Sequence, residues 1–434
     1  MSKKFQLNAY IPSYLVNHSI KREDQRKNMI GGYSAIPGFQ YSSQDSQEKI
    51  KFLTKSAEKT CNLIPLLDEV YYAFMHIHTN NQDKGSIFFD NPKIDFSKNS
   101  CSFFNDNQSL LPTANRDLYI GDECKTHMIY NMFNAFHDLP IKDKIISLNR
   151  TGSIEDDLTA GIDNQKALIN SLKTLHNKYP NINGINLDYE PLHQISPEQL
   201  IQLSKIIKNE MGDNFKISFP FVVNSSSIRG FGKENWQELA KYIDRFNIMG
   251  YDIHGYFDHS YNPYTGLMTQ LYKADHAEAY SIDSAVELLN SYGINYPQMS
   301  LGLASYGRGV STVAGKGLKQ KFDTAHMGDL GNGACTYEWI NYVLENNLYQ
   351  VEQHDVTVKK DNKDVIIGSY INLLDPESKG LSFISYDSPA SISSKIDYAY
   401  NKGMTGVFFW ALNMDSDIAN NSLIKTAHDK IIEF

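Results

Sequence analysis

Residues 183–190 read Asn-Gly-Ile-Asn-Leu-Asp-Tyr-Glu, and their alternation puts Asn186, Asp188 and Glu190 on one face of an extended segment that runs into a carboxylate. An acid at the open end of a strand points to proton transfer, because a carboxyl in a partly dry cleft can hold a proton to a pH at which it becomes a useful general acid. An edge strand whose alternate polar residues are merely solvated fits the octapeptide equally well when it is taken alone. Other candidate chemistry is weaker. His76 and His78 share a strand face but have no third ligand at metal-site spacing, and His254, Asp258 and His259 read as a polar cleft rim. Gly309–Lys316 has the wrong spacing for a phosphate loop, with Gly317 where Ser or Thr is needed. Neither a metal nor a cofactor is expected.

The elements that must position the acids follow from periodicity. Gln165–Tyr179 carries a helical pattern, a short Pro-Asn turn follows, and the acid-bearing strand comes next. Seven further apolar runs alternate with longer helical patterns. In all, the predicted strands are Leu7–Ile11, Val70–Met75, Lys144–Leu148, Gly184–Asp188, Lys216–Pro220, Arg245–Tyr251, Met299–Ala304 and Gly406–Trp410. Eight such runs predict an α/β fold, a closed (β/α)8 TIM barrel spanning residues 1–310 and 386–434, with its chemistry at the C-terminal ends of the strands. The polar, Asn-rich stretch Phe89–Asp122 is expected to be a loop-rich excursion over one barrel end. Between strands seven and eight, residues 311–385 contain a helical pattern at Thr336–Asn346, a charged turn at Lys359–Lys363 and alternating apolar segments, as a small α+β insertion would.

Composition narrows the function classes. The 434 residues have a net charge of −9 and are 41% hydrophobic, which suits a globular chain with an ample core. No basic stripe is present to neutralise phosphates, so no nucleic-acid partner is expected. The 27 Tyr and 22 Phe supply flat faces that can stack on sugars as well as fill cores. Cys61, Cys101, Cys124 and Cys335 are too sparse for a disulfide scaffold or a zinc knuckle, and mostly free thiols are expected. The N-terminus lacks an apolar signal region, and no segment approaches the length of a membrane span. A cytoplasmic chain, or export by a route without a cleaved signal, is the expectation.

With these segments in order, the chain resembles glycoside hydrolase family 18, the chitinases and their relatives. Residues 183–190 match the family's D-G-x-D-x-D-x-E element except at Asn183 and Asn186. Tyr71-Tyr72-Ala73-Phe74 resembles the second-strand Tyr-Ala-Phe element, and Met249-Gly250-Tyr251-Asp252 the sixth-strand Met-x-Tyr-Asp element. Gly302 through Tyr306-Gly307-Arg308 resembles the seventh-strand element, and Tyr386-Asp387 with Gly406–Trp410 the closing helix and eighth strand. The resemblance implies hydrolysis of β-1,4-N-acetylglucosamine linkages in chitin or chitooligosaccharides, with the substrate's own N-acetyl group as nucleophile. A silent sugar-binding protein and an endo-β-N-acetylglucosaminidase acting on N-glycans are the alternatives. Some chitinases similar to this chain are subunits of larger secreted toxin assemblies, a partner class the resemblance also implies.

By the same resemblance, Glu190 is the general acid, Asp188 orients the acetamide and stabilises developing positive charge, and Tyr251 holds the acetamide oxygen. Asp252 would contact the polar edge of the sugar, Trp410 would form the aromatic floor, and Tyr10, Phe74 and Met249 would line the walls, with Tyr306 and Arg308 completing the substrate-binding set. Asn186 would donate to Asp188 and accept from Tyr10 and from Ser147, the counterpart of a third-strand serine. Asp188 is therefore expected to be mainly ionised and weakly coupled to Glu190. Asn149 and Arg150 replace the glycines that follow that serine in the family, which alters the adjoining subsite.

Overall fold

The computed structural model describes residues 4–12, 59, 62–79, 84–89, 139–150, 152–274, 280–312, 315–325, 330, 333–375, 380–417, 419 and 421–434. Cys61, Cys101, Cys124 and, beyond Phe89, the excursion expected up to residue 122 lie outside these residues. Along the chain come β1 (Gln6–Pro12), β2 (Glu69–Ile77), a short β3 (Ile87–Phe89), β4 (Asp143–Asn149), β5 (Ile182–Asp188), β6 (Lys216–Val222), β7 (Arg245–Met249) and β8 (Met299–Ala304). A second group follows: β9 (Tyr306–Thr312), β10 (Phe322–Ala325), β11 (Ala334–Thr336), β12 (Glu352–Lys360), β13 (Lys363–Asp375) and β14 (Gly380–Tyr386), before β15 (Gly406–Trp410) returns to the first.

Eight parallel strands close on themselves in the order β1-β15-β8-β7-β6-β5-β4-β2, and β2 pairs back onto β1. β3 hangs antiparallel on β2. Helices between the strands complete the (β/α)8 barrel that the periodicity predicts. The period-two pattern decides the facing: Leu7, Ala9 and Ile11 of β1, Ile185 and Leu187 of β5, and Leu301 and Leu303 of β8 join the core under the helices. Their neighbours point into the barrel, where Asn247 of β7 donates to the Tyr10 hydroxyl of β1 across 3.2 Å. The helix before β5, Gln165–Lys178, buries Leu168, Leu172 and Leu175 on one stripe and places His176 and Lys178 in its last turn, where cations suit the helix dipole. Ser196 caps the helix after β5, accepting from Gln199 N–H, with Pro197 at the first position. One strand is shorter than expected: β7 stops at Met249 rather than Tyr251, leaving Tyr251 and Asp252 in the loop that rises from it.

The lower barrel is polar. Glu69 is fully buried and ion-paired with Arg245 and with Lys216, whose ammonium also reaches Asp143 at 2.8 Å. Arg245 further donates to the Tyr71 hydroxyl at 2.8 Å and to Gln6 at 2.6 Å. Burial alone would raise the Glu69 carboxyl, but the charges of Arg245 and then Lys216 outweigh it and hold the group below its ordinary value. Asn183 donates to Asp143 at 2.7 Å, so the opening residue of the octapeptide belongs to this network at the far end of the strand from the acids.

The second sheet is antiparallel, in the order β10-β9-β14-β13-β12, with β11 on β9, and the helix Tyr337–Glu345 packs against it. Its strands begin at Tyr306 and end at Tyr386, so the sheet starts five residues before the expected boundary at 311. Only Ser305 separates β8 from β9, so no turn or loop in the sequence marks the change of sheet.

Removing one partner of a buried ion pair strands the other charge. Glu69→Ala is expected to destabilise the protein by about 3–5 kcal/mol, read as a lowered midpoint in urea denaturation, and a loss below about 1 kcal/mol would show that the acceptors Tyr71 and Gln6 suffice for Arg245 and that Asp143 suffices for Lys216.

Candidate active site

At the C-terminal mouth of the barrel a cavity of about 320 Å³ is lined by Tyr10, Phe74, Asn149, Asp188, Glu190, Met249, Tyr251, Asp252, Tyr306, Arg308 and Trp410, together with Val222, Leu330, Ala334 and Met414. Ten of the residues singled out from the sequence meet here. The other two, Asn186 and Ser147, lie fully buried below the floor.

Those two form a ladder that runs across three adjacent strands. Ser147, Asn186 and Ser218 are register partners on β4, β5 and β6. Ser218 donates to Asn186 Oδ1 at 2.8 Å, Asn186 Nδ2 donates to Ser147 Oγ at 2.8 Å, and Ser147 donates to Asp188 Oδ2 at 3.3 Å. Asn186 thus reaches Asp188 through a hydroxyl and not directly, and Tyr10 bonds Asn247 instead of Asn186, because the barrel's curvature aims the Tyr10 ring at β7. Ser218 was not anticipated, although its register opposite Asn186 follows from the strand alternation.

Asp188 is only 4% exposed and its Oδ1 has no close hydrogen-bond partner. Burial, reinforced by the charge of Glu190, pushes its carboxyl well above the ordinary carboxylate range. This corrects the expectation of a mainly ionised, weakly coupled Asp188: replacing a neighbouring acid by Asn186 removes one repulsion, but the single bond from Ser147 is too little to offset desolvation. Glu190 is also raised, chiefly by burial and also by Asp252, while a proton on Asp188 and the charge of Arg150 act to lower it. The pair is therefore built to keep a proton, with the deeper Asp188 as its holder.

Gly302 of β8 makes the wall possible. A Cβ there would stand 2.6 Å from Phe408 and 3.0 Å from the Tyr251 ring, so only glycine lets Tyr251 lie flat over the barrel interior. Tyr251 is buried, and its hydroxyl is held well above its ordinary pKa, by burial first and then by Tyr306, so it keeps its proton and serves as a hydrogen-bond donor. Asp252 follows with φ of 54°, a left-handed conformation that costs a non-glycine residue free energy, and both of its oxygens are fixed by Arg308 of β9 at 2.8 Å. The Arg308 guanidinium lies 5.3 Å from the Tyr306 ring and 5.7 Å from that of Phe257. Opposite, Trp410 stacks with Phe74 at 5.7 Å and leans on Tyr10 at 5.3 Å, leaving an aromatic floor beside the acids. Asn149 lines the cavity beside Asp188, at the subsite where the sequence departs from the family; Val222, Leu330, Ala334 and Met414 come from strand ends and loops without a chemical pattern, which is why spacing did not mark them as cavity residues. Among the described residues no three His, Cys, Asp or Glu side chains converge as a metal site.

A parallel eight-stranded barrel with two neighbouring carboxyls at its C-terminal mouth and an aromatic floor defines the class of β/α-barrel enzymes. Within it, this chain belongs to glycosyl hydrolases family 18, whose model matches residues 38–415. It is 28% identical over 256 residues to chitinase 1 of Aphanocladium album, covering 56% of this chain and 55% of that protein. It is 26% identical over 304 residues to a class V chitinase of Medicago truncatula, covering 65% and 72%. The chain spans about half the length of the first of these relatives. Solved structures share the fold: the class V chitinase of Nicotiana tobaccum superposes with a TM-score of 0.61 at 16% identity over 99% of both chains. A group IV chitinase of Ostrinia furnacalis in complex with allosamidin superposes with 0.63 at 14% identity over 99% of both.

A raised carboxyl in the folded state means that the native protein binds more protons than the unfolded chain, so its contribution to stability is present below the unfolded pKa, near 4, and is lost as pH rises towards the folded value. Asp188→Asn removes that loss. Its denaturation midpoint is expected to gain on the wild type as pH rises above about 4, and a difference that stays constant with pH would show that the folded protein does not raise the Asp188 carboxyl.

Proposed function

We propose that the chain hydrolyses β-1,4 linkages between N-acetylglucosamine units of chitin or its oligosaccharides, with retention and with the acetamide as nucleophile. The observation that carries this reading is the juxtaposition of two neighbouring carboxyls that are both raised by burial, Asp188 and Glu190, with the donor Tyr251 and the Trp410 floor in one cavity. A sugar stacked on Trp410 presents its acetamide towards Tyr251 and Asp188. The Tyr251 hydroxyl donates to the acetamide oxygen and aligns it with the anomeric carbon. As the sugar binds, Asp188 passes its proton to Glu190, which gives it to the glycosidic oxygen as that bond breaks, and the acetamide oxygen closes on the anomeric carbon to form an oxazolinium-like ring. Asp188 accepts from the acetamide N–H and balances the positive charge. That arriving charge supplies the stabilisation its buried carboxyl lacks in the free protein. Water, deprotonated by Glu190, then opens the ring.

Asn stands at 183 and 186 where the family resemblance expects Asp, and Asn186 cannot share a proton with Asp188. That favours a second reading, a sugar-binding protein with little turnover. Arg308 and Ala334, which line the cavity, belong to the second sheet inserted after β8, and such an insertion speaks for a linear chitin chain over an N-glycan. Membership of a larger secreted assembly rests on resemblance, and a lone monomer on gel filtration of native material would count against it.

Release of a fluorophore from an aryl chitobioside is the test. Glu190→Gln is expected to lower kcat at least about 100-fold while leaving oligosaccharide binding intact, and tight binding by the wild type with no release would establish the sugar-binding reading instead. Asn186→Asp places a second acid on the ladder. It is expected to raise turnover and shift the pH profile, and a variant with both unchanged would show that Ser147 alone sets the state of Asp188.

A further inference from the structure

The proposed chemistry leaves a fully buried ion pair unused. Asp387, the residue after β14, and Lys395 of the helix Pro389–Lys402 are bonded to each other, with neither side chain reaching solvent. Ser391 of the same helix donates to Asp387 Oδ1 at 2.7 Å. Such a pair contributes little net stability, because desolvation offsets attraction, but it fixes the geometry of whatever it bonds. Lys395 also donates to the hydroxyl of the buried Thr269. A hydroxyl has one hydrogen to give, and the Gly250 carbonyl accepts it at 2.8 Å, closer than Asp387 Oδ2 at 3.5 Å. That carbonyl belongs to the peptide joining Gly250 to Tyr251. On the far side, Ile253 N–H donates to the Met268 carbonyl at 2.9 Å, and Met268 N–H donates to Ser385 Oγ of β14 at 2.9 Å. Tyr251 and Asp252 therefore sit between two backbone anchors, both on Met268–Thr269. Asp252, with φ of 54°, holds a conformation that persists only where its surroundings over-determine it.

We propose that Thr269, held by the Lys395–Asp387 pair, is a positioning residue for the reaction: it fixes the peptide before Tyr251 and so sets where the Tyr251 hydroxyl and the Asp252 carboxylate stand in the cavity. The proposal rests on the glycosidase reading and deepens it. A Cβ at Gly250 would stand 2.7 Å from the Gly302 carbonyl, so the chain passes β8 with no side chain to wedge it, and its carbonyl is the group left to grip. Without the Thr269 hydroxyl, the left-handed Asp252 is free to relax towards an ordinary conformation and to carry Tyr251 with it. The acetamide oxygen then meets the Tyr251 hydroxyl out of line with the anomeric carbon, an error that slows ring closure more than it weakens binding. Trp410, Phe74 and Tyr10, which would stack the sugar, belong to other strands and keep their contacts with one another.

Thr269→Val keeps the volume and removes the hydroxyl, whereas Thr269→Ser keeps the hydroxyl. With an aryl chitobioside, kcat is expected to fall about tenfold in Thr269→Val with KM within about twofold of the wild type, and to return to within about threefold of it in Thr269→Ser. A second readout needs no turnover. The fused-ring thiazoline of N-acetylglucosamine has its acetamide carbon already joined to the anomeric centre through sulfur, so it tests alignment by Tyr251. The ratio of its dissociation constant to that of N-acetylchitotetraose, both measured on Glu190→Gln, is expected to rise about tenfold when Thr269→Val is added. A folded Thr269→Val with kcat unchanged would overturn the proposal, and so would an equal loss in Thr269→Ser or a rise in KM alone. Should Thr269→Val not fold, Lys395→Met combined with Asp387→Asn removes both charges and leaves Thr269 in place. A fall in kcat of at least about threefold at constant KM then supports the proposal, while an unchanged kcat, or a second failure to fold, assigns the pair to folding alone and overturns it. Failure of the wild type to cleave would refute the glycosidase reading, and the ratio of dissociation constants would still decide the role of Thr269. A wild type that binds neither probe would refute both.

Discussion

A carboxyl held out of water is costly unless its surroundings make up for lost hydration, and the upper barrel is arranged around one such group. Asp188 receives a single hydroxyl bond from below, from a ladder that crosses β6, β5 and β4 through Ser218, Asn186 and Ser147. The ladder fixes the group's position without satisfying it. That incompleteness is what makes Asp188 receptive to a positively charged, hydrogen-bond-donating neighbour. A fully bonded carboxylate would be content when alone and would gain little from a reacting sugar.

The barrel separates two electrostatic tasks along its axis. Below, Arg245, Glu69, Lys216 and Asp143 cancel one another in a chain of ion pairs that ties β2 and β4 to β6 and β7 across the barrel. Above, Asp188 and Glu190 are left partly unbalanced. Asn183 and Asn186 sit three residues apart on one strand yet serve opposite ends of this division, the first bonded to Asp143 and the second to the serines. The same residue type closes a structural network at one end and supports reactive chemistry at the other.

How much of this was legible in the sequence depends on which property a residue's role requires. Strand identity needs only alternation, so the eight barrel strands and the helices at 165–178 and 337–345 could be read directly. The residues that meet in the cavity came from strand ends carrying recognisable motifs. The state of Asp188 could not be read, since it depends on burial and on a bond count that no spacing encodes. The partners of Asn186 depend on barrel curvature, which carried Tyr10 towards Asn247. The start of the second sheet was hidden because β8 and β9 meet across one residue, with no turn between them.

That single residue, Ser305, has a mechanical consequence. Its N–H donates to the Trp410 carbonyl at 2.9 Å and its carbonyl accepts from Tyr337 N–H at 2.9 Å, so the junction between barrel and second sheet is tied to the aromatic floor on one side and to the insertion helix on the other. A joint so short and so bonded gives the wall no hinge on which to swing. Moving the described part of that wall against the barrel therefore means giving up bonds that also hold the aromatic floor and the insertion helix, so the three shift together or not at all.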